Sequence, residues 1–372
     1  MGITYQKKTQ VQPNTYNVHK NASHNLKNIY LRVVGAHPLV WYYVNMLMTF
    51  KNLHILIVED IDPMRALMKQ CLTMLGVGKI STAKNGEEGY EAYLRGKPDI
   101  IITDWEMPGM NGLELTQKIR RAKQSPRKET PIIMMTGFCA KERITQSLDS
   151  GVNSFIVKPF SASDLAKRLA HIVNHPTDFI ITASYSGPER DTHKENLNKE
   201  DIIQTIKASN DLQTKVGTGT INKEVINRSQ EVINQNKIDF VPIATHFVHQ
   251  LFIATENMKT EQEPNRRSIE RIISPIMQIK ANARICHHEL LGSFADIMLD
   301  FLEKINDVDP VIIQIVNANQ LTLKHLISGK KKEELEQDGD NLQKELKSAF
   351  TRYMNIKYKI SQNKLKKKTA AA

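Results

Sequence analysis

The sequence predicts an α/β domain with a doubly wound, five-stranded parallel sheet, followed by an all-α helical bundle. Three observations predict it. Short apolar runs recur at roughly 20 to 30 residue intervals between residues 53 and 157, and amphipathic helical patterns fill each gap. From residue 243 onward, apolar residues instead recur at spacings of three and four.

The strands are "LHILIV" (53–58), "KISTA" (79–83), "DIIIT" (99–103), "PIIMM" (131–135) and "NSFIV" (153–157). The first intervening helix is expected to start with Asp62 as N-cap and Pro63 at its first position, with Gly76 following its last apolar residue, Leu75. The last, "SASDLAKRLAHIV", opens with Ser161 and Asp164 in capping-box spacing. Strictly alternating strands and helices imply parallel pairing, because each parallel crossover needs a helix to return the chain.

In such sheets, ligand sites form beyond the carboxyl ends of the strands. Each relevant strand here ends on a chemically useful group: the first on Glu59 and Asp60, the third on Asp104, the fourth on Thr136 and the fifth on Lys158. Three carboxylates at one edge need compensation, since two like charges about 4 Å apart cost on the order of 4 kcal/mol at an effective dielectric near 20. Lys158 offsets one charge and a divalent cation would offset the other two. Mg²⁺ fits, because it takes hard oxygen ligands and is held by one or two carboxylates together with phosphate oxygens. An aspartate beside it can attack phosphorus and form an aspartyl phosphate, whose oxygens Lys158 and the Thr136 hydroxyl can meet.

Residues 53 to about 175 resemble a response-regulator receiver domain of two-component signalling, of the CheY-like, flavodoxin-like kind. The resemblance rests on "VED" (58–60), "TDWEMPGMNG" (103–112), "MMTG" (134–137) and "VKPF" (157–160), in that order. It implies that Glu59 and Asp60 are the acidic pair supporting Mg²⁺, that Asp104 is the phosphoacceptor, and that Glu106 offers the metal its backbone carbonyl. It further implies that Thr136 is the switch hydroxyl, Phe155 the switch aromatic, and Lys158 the phosphate-binding lysine, preceding a cis Pro159.

Organisation along the chain is uneven. Residues 1–50 carry five Lys or Arg and no acid, residues 357–372 carry six Lys and no acid, and together these ends account for the net charge of +11. They read as a basic, disordered leader and a Lys-rich solvated tail, flanking a receiver at 51–175, a polar, mostly extended linker at 176–242 and a helical bundle at 243–356. Within the linker, "FIITASYSGPER" (179–190) resembles a segment of receiver proteins that carry a helical C-terminal half. Cys71, Cys139 and Cys286 lack metal-ligand spacing and point to a reducing, cytoplasmic compartment. The most apolar window, 33–50, is broken by His37, Pro38 and Asn45, so no membrane span is expected.

The bundle loosely resembles a histidine phosphotransfer domain, whose helix carries His-x-x-Lys-Gly-Ser. One register uses "MQIKANA" (277–283), which keeps Lys280 and the small Ala281 and puts Met277 where the phosphorylatable histidine belongs. Another uses "HELLGS" (288–293), which keeps His288, Gly292 and Ser293 but has Leu291 for the lysine. The first is favoured, giving a bundle with the phosphotransfer shape and no nucleophile. A working His288 and an unrelated bundle stay open. His246, His249 and the His287–His288 pair read as ordinary helix histidines rather than metal ligands.

These features lead to the expectation of a response regulator that is not an enzyme. It would accept a phosphoryl group from a histidine kinase or histidine phosphotransfer protein, and would signal through a second receiver in a homodimer or an unidentified downstream protein. No Walker loop, diguanylate cyclase run or recognition-helix pattern is present, so DNA is not an expected partner. The alternative is a DNA-binding transcriptional regulator with an unrecognised helical output domain.

Overall fold

The computed structural model describes residues 47–137, 141–190, 201–262, 264–305, 308–328 and 341–359. The expected sheet forms from β1 (His54–Val58), β2 (Lys79–Ala83), β3 (Ile100–Asp104), β4 (Ile132–Thr136) and β5 (Ser154–Val157), in the order β2-β1-β3-β4-β5 with every pair parallel. The crossover helices are α1 (Asp62–Met74), α2 (Gly86–Gly96), α3 (Gly112–Arg121), α4 (Lys141–Asp149) and α5 (Ala162–Asn174).

Strand residues alternate between two cores, as a period of two requires. Ile55, Ile57, Ile100, Ile102, Ile133 and Met135 pack with Leu67 and Met68 of α1 and Leu165 and Leu169 of α5. Leu56, Val58, Ile101 and Ile132 pack with Tyr90 and Tyr93 of α2 and Leu115 and Ile119 of α3. Each such buried aliphatic side chain contributes about 2 kcal/mol, which holds the strand ends rigid.

Ser161 and Asp164 form the complete capping box. Asp62 is instead the first helical residue after the Ile61 cap, and its carboxylate pairs with Arg65. At the end of the expected leader, Met48 and Phe50 are buried and the Met48 and Thr49 amides donate to the Thr220 and Val216 carbonyls. The rest of the basic leader, residues 1–46, lies outside the described residues.

The described parts of the stretch that reads as an extended linker, residues 176–190 and 201–242, are folded. They contain a small antiparallel sheet, order β7-β6-β8, from β6 (Phe179–Thr182), β7 (Ser186–Pro188) and β8 (Ile202–Ile206), then α6 (Asp211–Val216) and α7 (Lys223–Asn234). Their docking contacts are partly polar, which is why their hydrophobic periodicity is weak. Ser229 of α7 is fully buried and donates to the Cys71 carbonyl at 3.0 Å, while Gln230 accepts from the Ala162 amide at 2.8 Å.

The C-terminal half comprises α8 (Val241–Thr260), α9 (Arg266–Ala283), α10 (Glu289–Leu302) and α11 (Pro310–Ile327), with residues 341–359 also helical. Residues 357–359 therefore continue a helix rather than begin a tail, and Lys357 pairs with Asp309 at 2.8 Å. Phe301 stacks on Phe350 with centroids 4.1 Å apart. The apolar residues of these helices merge with the α1/α5 side of the sheet into one core.

Candidate functional site

The register of the sheet brings the strand ends together at one edge. Asp104 lies opposite Met135 and Thr136 opposite Val157, so the third, fourth and fifth strands end at the same level. The Lys158 amide then donates to the Thr136 carbonyl at 2.7 Å, tying the cation to the hydroxyl-bearing residue. Past β3 the chain turns back over Asp104 through Gly112, where a Cβ would stand 2.0 Å from the Asp104 carbonyl oxygen. Only glycine permits that closure.

The Lys158 ammonium donates to Glu59 Oε2 at 2.9 Å and to Asp104 Oδ2 at 2.7 Å. Asp104 Oδ1 accepts from the Trp105 amide at 2.7 Å, so each oxygen of that carboxylate has a donor. Glu59, Asp104 and Lys158 are all buried, and Asp60 is half-buried. Carboxylate oxygens of Glu59, Asp60 and Asp104 lie within 4.8 Å of one another, the only such metal-competent group among the described residues.

Electrostatics follow from that crowding. Burial, reinforced by Asp104 and Asp60 against the pull of Lys158, pushes the Glu59 carboxyl up to about 8. Burial and the Asp104 charge likewise push Asp60 up to about 6. For Lys158, burial disfavours the ammonium but the Asp104 and Glu59 carboxylates outweigh it, so its pKa is raised. The cluster therefore has an excess of negative charge, which raises the proton affinity of Glu59 and Asp60. Asp60 Oδ1 is in addition buried with no hydrogen-bond partner. A hard divalent cation fits this donor set, because it would satisfy that oxygen and offset the excess charge.

Of the remaining expected site residues, Thr136 is 5% exposed beside the cluster. Phe155 is half-buried on β5, with the Arg168 guanidinium 5.7 Å from its ring centre. The Lys158–Pro159 bond is cis. Glu106 follows β3 as expected, and its backbone carbonyl accepts from Gln278 of α9 at 3.0 Å. His246 and His249 are exposed, and His288 precedes α10 with its ring 5.6 Å from that of Phe240. Cys71 and Cys286 are buried free thiols, whereas Cys139 lies outside the described residues.

Two contributors escape the motif pattern. Arg65, one turn into α1, donates to the Glu59 carbonyl at 2.6 Å and holds the acid-bearing turn. Arg120, fully buried at the end of α3, donates to the Gly151 and Thr130 carbonyls at 2.9 and 2.8 Å and to Asn153 Oδ1 at 2.9 Å. Its guanidinium also lies 5.3 Å from the Phe179 ring centre, joining the "FIITASYSGPER" hairpin to the sheet. An arginine at the end of an amphipathic helix carries no local sign of this burial.

Residues 55–170 match the family model of the response regulator receiver domain. Over 122 residues the chain is 38% identical to the chemotaxis protein CheY-3 of Vibrio cholerae, covering 33% of this chain and 92% of that protein. It is 40% identical over 116 residues to CheY1 of Helicobacter pylori, covering 31% of this chain and 92% of the relative. Among solved structures, the chemotaxis response regulator CheY4 of Vibrio cholerae aligns at 30% identity with a TM-score of 0.30, covering 32% of this chain and 98% of that one. No described helix is long and apolar enough to cross a membrane.

Proposed function

This chain belongs, through residues 55–170, to the response regulator receiver family, and from that premise we propose that it is a phosphorelay response regulator with Asp104 as its phosphoacceptor. One observation carries the reading: Asp104 is held between the Lys158 ammonium, 2.7 Å away, and the Trp105 amide, with Glu59 and Asp60 completing an acidic cluster around it. A carboxylate kept rigid beside a cation is oriented for attack on phosphorus.

In the step proposed, a carboxylate oxygen of Asp104 attacks the phosphorus of a phosphohistidine on a histidine kinase or phosphotransfer protein. The phosphorus–nitrogen bond breaks, and the nitrogen keeps the electron pair and takes up a proton from water. Lys158 and the Thr136 hydroxyl then meet the added phosphoryl oxygens. Mg²⁺ held by Glu59, Asp60, Asp104 and the Glu106 carbonyl would neutralise charge on the transferring group. The chain acts as a signalling acceptor in the cytoplasm rather than as an enzyme, and its helical half or a second receiver passes the signal to a protein partner.

The test is labelling of the full chain by acetyl phosphate in the presence of Mg²⁺. Wild type is expected to acquire a base-labile, hydroxylamine-sensitive phosphoryl group and Asp104→Asn to acquire none. Label persisting on Asp104→Asn would overturn the assignment.

A further inference from the structure

The loops that flank Asp104 are contacted by the chain's own helical half. Ser274, Met277, Gln278 and Ala281 are spaced as one stripe of α9, and this stripe faces the receiver. Ser274 Oγ donates to Glu106 Oε2 at 3.2 Å, and Gln278 Nε2 donates to the Glu106 carbonyl at 3.0 Å. Met277 and Ala281 lie against Gly137, where a Cβ would stand 2.8 Å from Met277 Cγ and 3.0 Å from Ala281 Cβ. Glu106 follows β3 and Gly137 follows β4, so the helix bridges the two loops that flank Asp104 and Thr136. Asp104 itself is 2% exposed.

The contact is built rather than incidental. Asn282, fully buried, donates to Gln278 Oε1 at 3.0 Å and to the Gln278 carbonyl at 2.9 Å. With its oxygen held by Asn282, the Gln278 side chain is oriented so that its nitrogen faces Glu106. Lys280, on another side of the helix, pairs with Asp296 of α10 instead. Met277 is the residue that stands in the histidine position of the phosphotransfer register, and a thioether presents no nitrogen that could carry a phosphoryl group.

We infer that α9 is an internal occupant of the phosphodonor face, so that a phosphodonor, whether acetyl phosphate or a protein presenting its own helix, reaches Asp104 only when α9 is displaced. The inference rests on the reading of Asp104 as phosphoacceptor, and it assigns the helical half a further role in gating its own receiver.

The experiment compares full-length wild type with Ser274→Ala/Gln278→Ala, whose changes delete both hydrogen bonds to Glu106 and keep good helix formers. Two quantities are read: hydrogen exchange of residues 104–112 and 266–283, and the initial rate of Asp104 labelling by acetyl phosphate with Mg²⁺. Both segments are expected to exchange faster in the variant, and labelling to accelerate about tenfold, the shift produced when a contact worth about 1.4 kcal/mol is lost. Met277→Glu, which sets a charge against Gly137, is expected to move both readouts the same way. Wild-type exchange together with wild-type labelling in both variants would overturn the inference, as would faster exchange without faster labelling. If no chain labels at all, the phosphoacceptor reading fails by itself, and exchange alone then decides whether α9 is docked.

Discussion

The side chain of Gln278 donates to the backbone carbonyl of Glu106 at 3.0 Å, joining residues 172 positions apart in the sequence. A bond of that separation forms only if α9 lies flat across the loop after β3, and the close approach of Gly137 to Met277 is its counterpart after β4. Gly137→Ala should therefore disturb the interface sterically, because the backbone at Gly137 is not among the positive-φ glycines and can accept a Cβ conformationally. The expected cost is about 1 to 3 kcal/mol in urea unfolding, the usual range for overpacking. Met277→Ala removes the nearest obstructing atom, so the double variant should recover about 1 kcal/mol relative to additivity. Strict additivity would count against the contact.

A second prediction concerns pH. The Glu59 carboxyl stands at about 8 against an ordinary 4.5, and Asp60 at about 6 against 3.8. Raised carboxyl values mean that the folded chain holds these protons more tightly than the unfolded chain does. Their stabilising effect is complete below the ordinary values and is lost as pH rises through the folded ones. In EDTA, the melting temperature should fall between about pH 4.5 and 8, and saturating Mg²⁺ should remove most of the decline. Glu59→Gln should flatten the EDTA profile. A profile in EDTA no steeper than that in Mg²⁺ would refute the charge-excess account.

A third prediction follows from the half-buried setting of Phe155 beside Arg168. Phosphorylation adds up to about two negative charges at Asp104, which should draw Thr136 inward and vacate space that the Phe155 ring can fill. Labelling should then change hydrogen exchange across residues 136–160, and Phe155→Ala should blunt that change while leaving the labelling itself intact. Identical exchange before and after labelling would mean that this surface does not switch.

Arg120 supports a fourth. Its buried guanidinium caps the Gly151 and Thr130 carbonyls and Asn153 at the edge of the sheet away from Asp104. Arg120→Met should destabilise the fold by about 3 kcal/mol, since it leaves buried acceptors unpaired. The rate of Asp104 labelling should stay near that of wild type below the melting transition. Unaltered urea unfolding would show that this cluster does not anchor the sheet.

The receiver was determined by local pattern alone. Apolar runs of strand length, helices between them, and Glu59, Asp60, Asp104, Thr136 and Lys158 at strand ends were enough, because a parallel α/β sheet forces the carboxyl ends of its strands to one edge. What only the tertiary structure decided is where α9 lies and why residues 176–190 and 201–242 fold. Ser274, Gln278, Ser229 and Arg120 are polar residues whose partners are distant carbonyls, and a polar side chain that buries itself against backbone leaves no hydrophobic periodicity behind. Asp62 illustrates the same limit at short range: its residue type suits an N-cap, but pairing with Arg65 from within the helix is the arrangement the fold adopts.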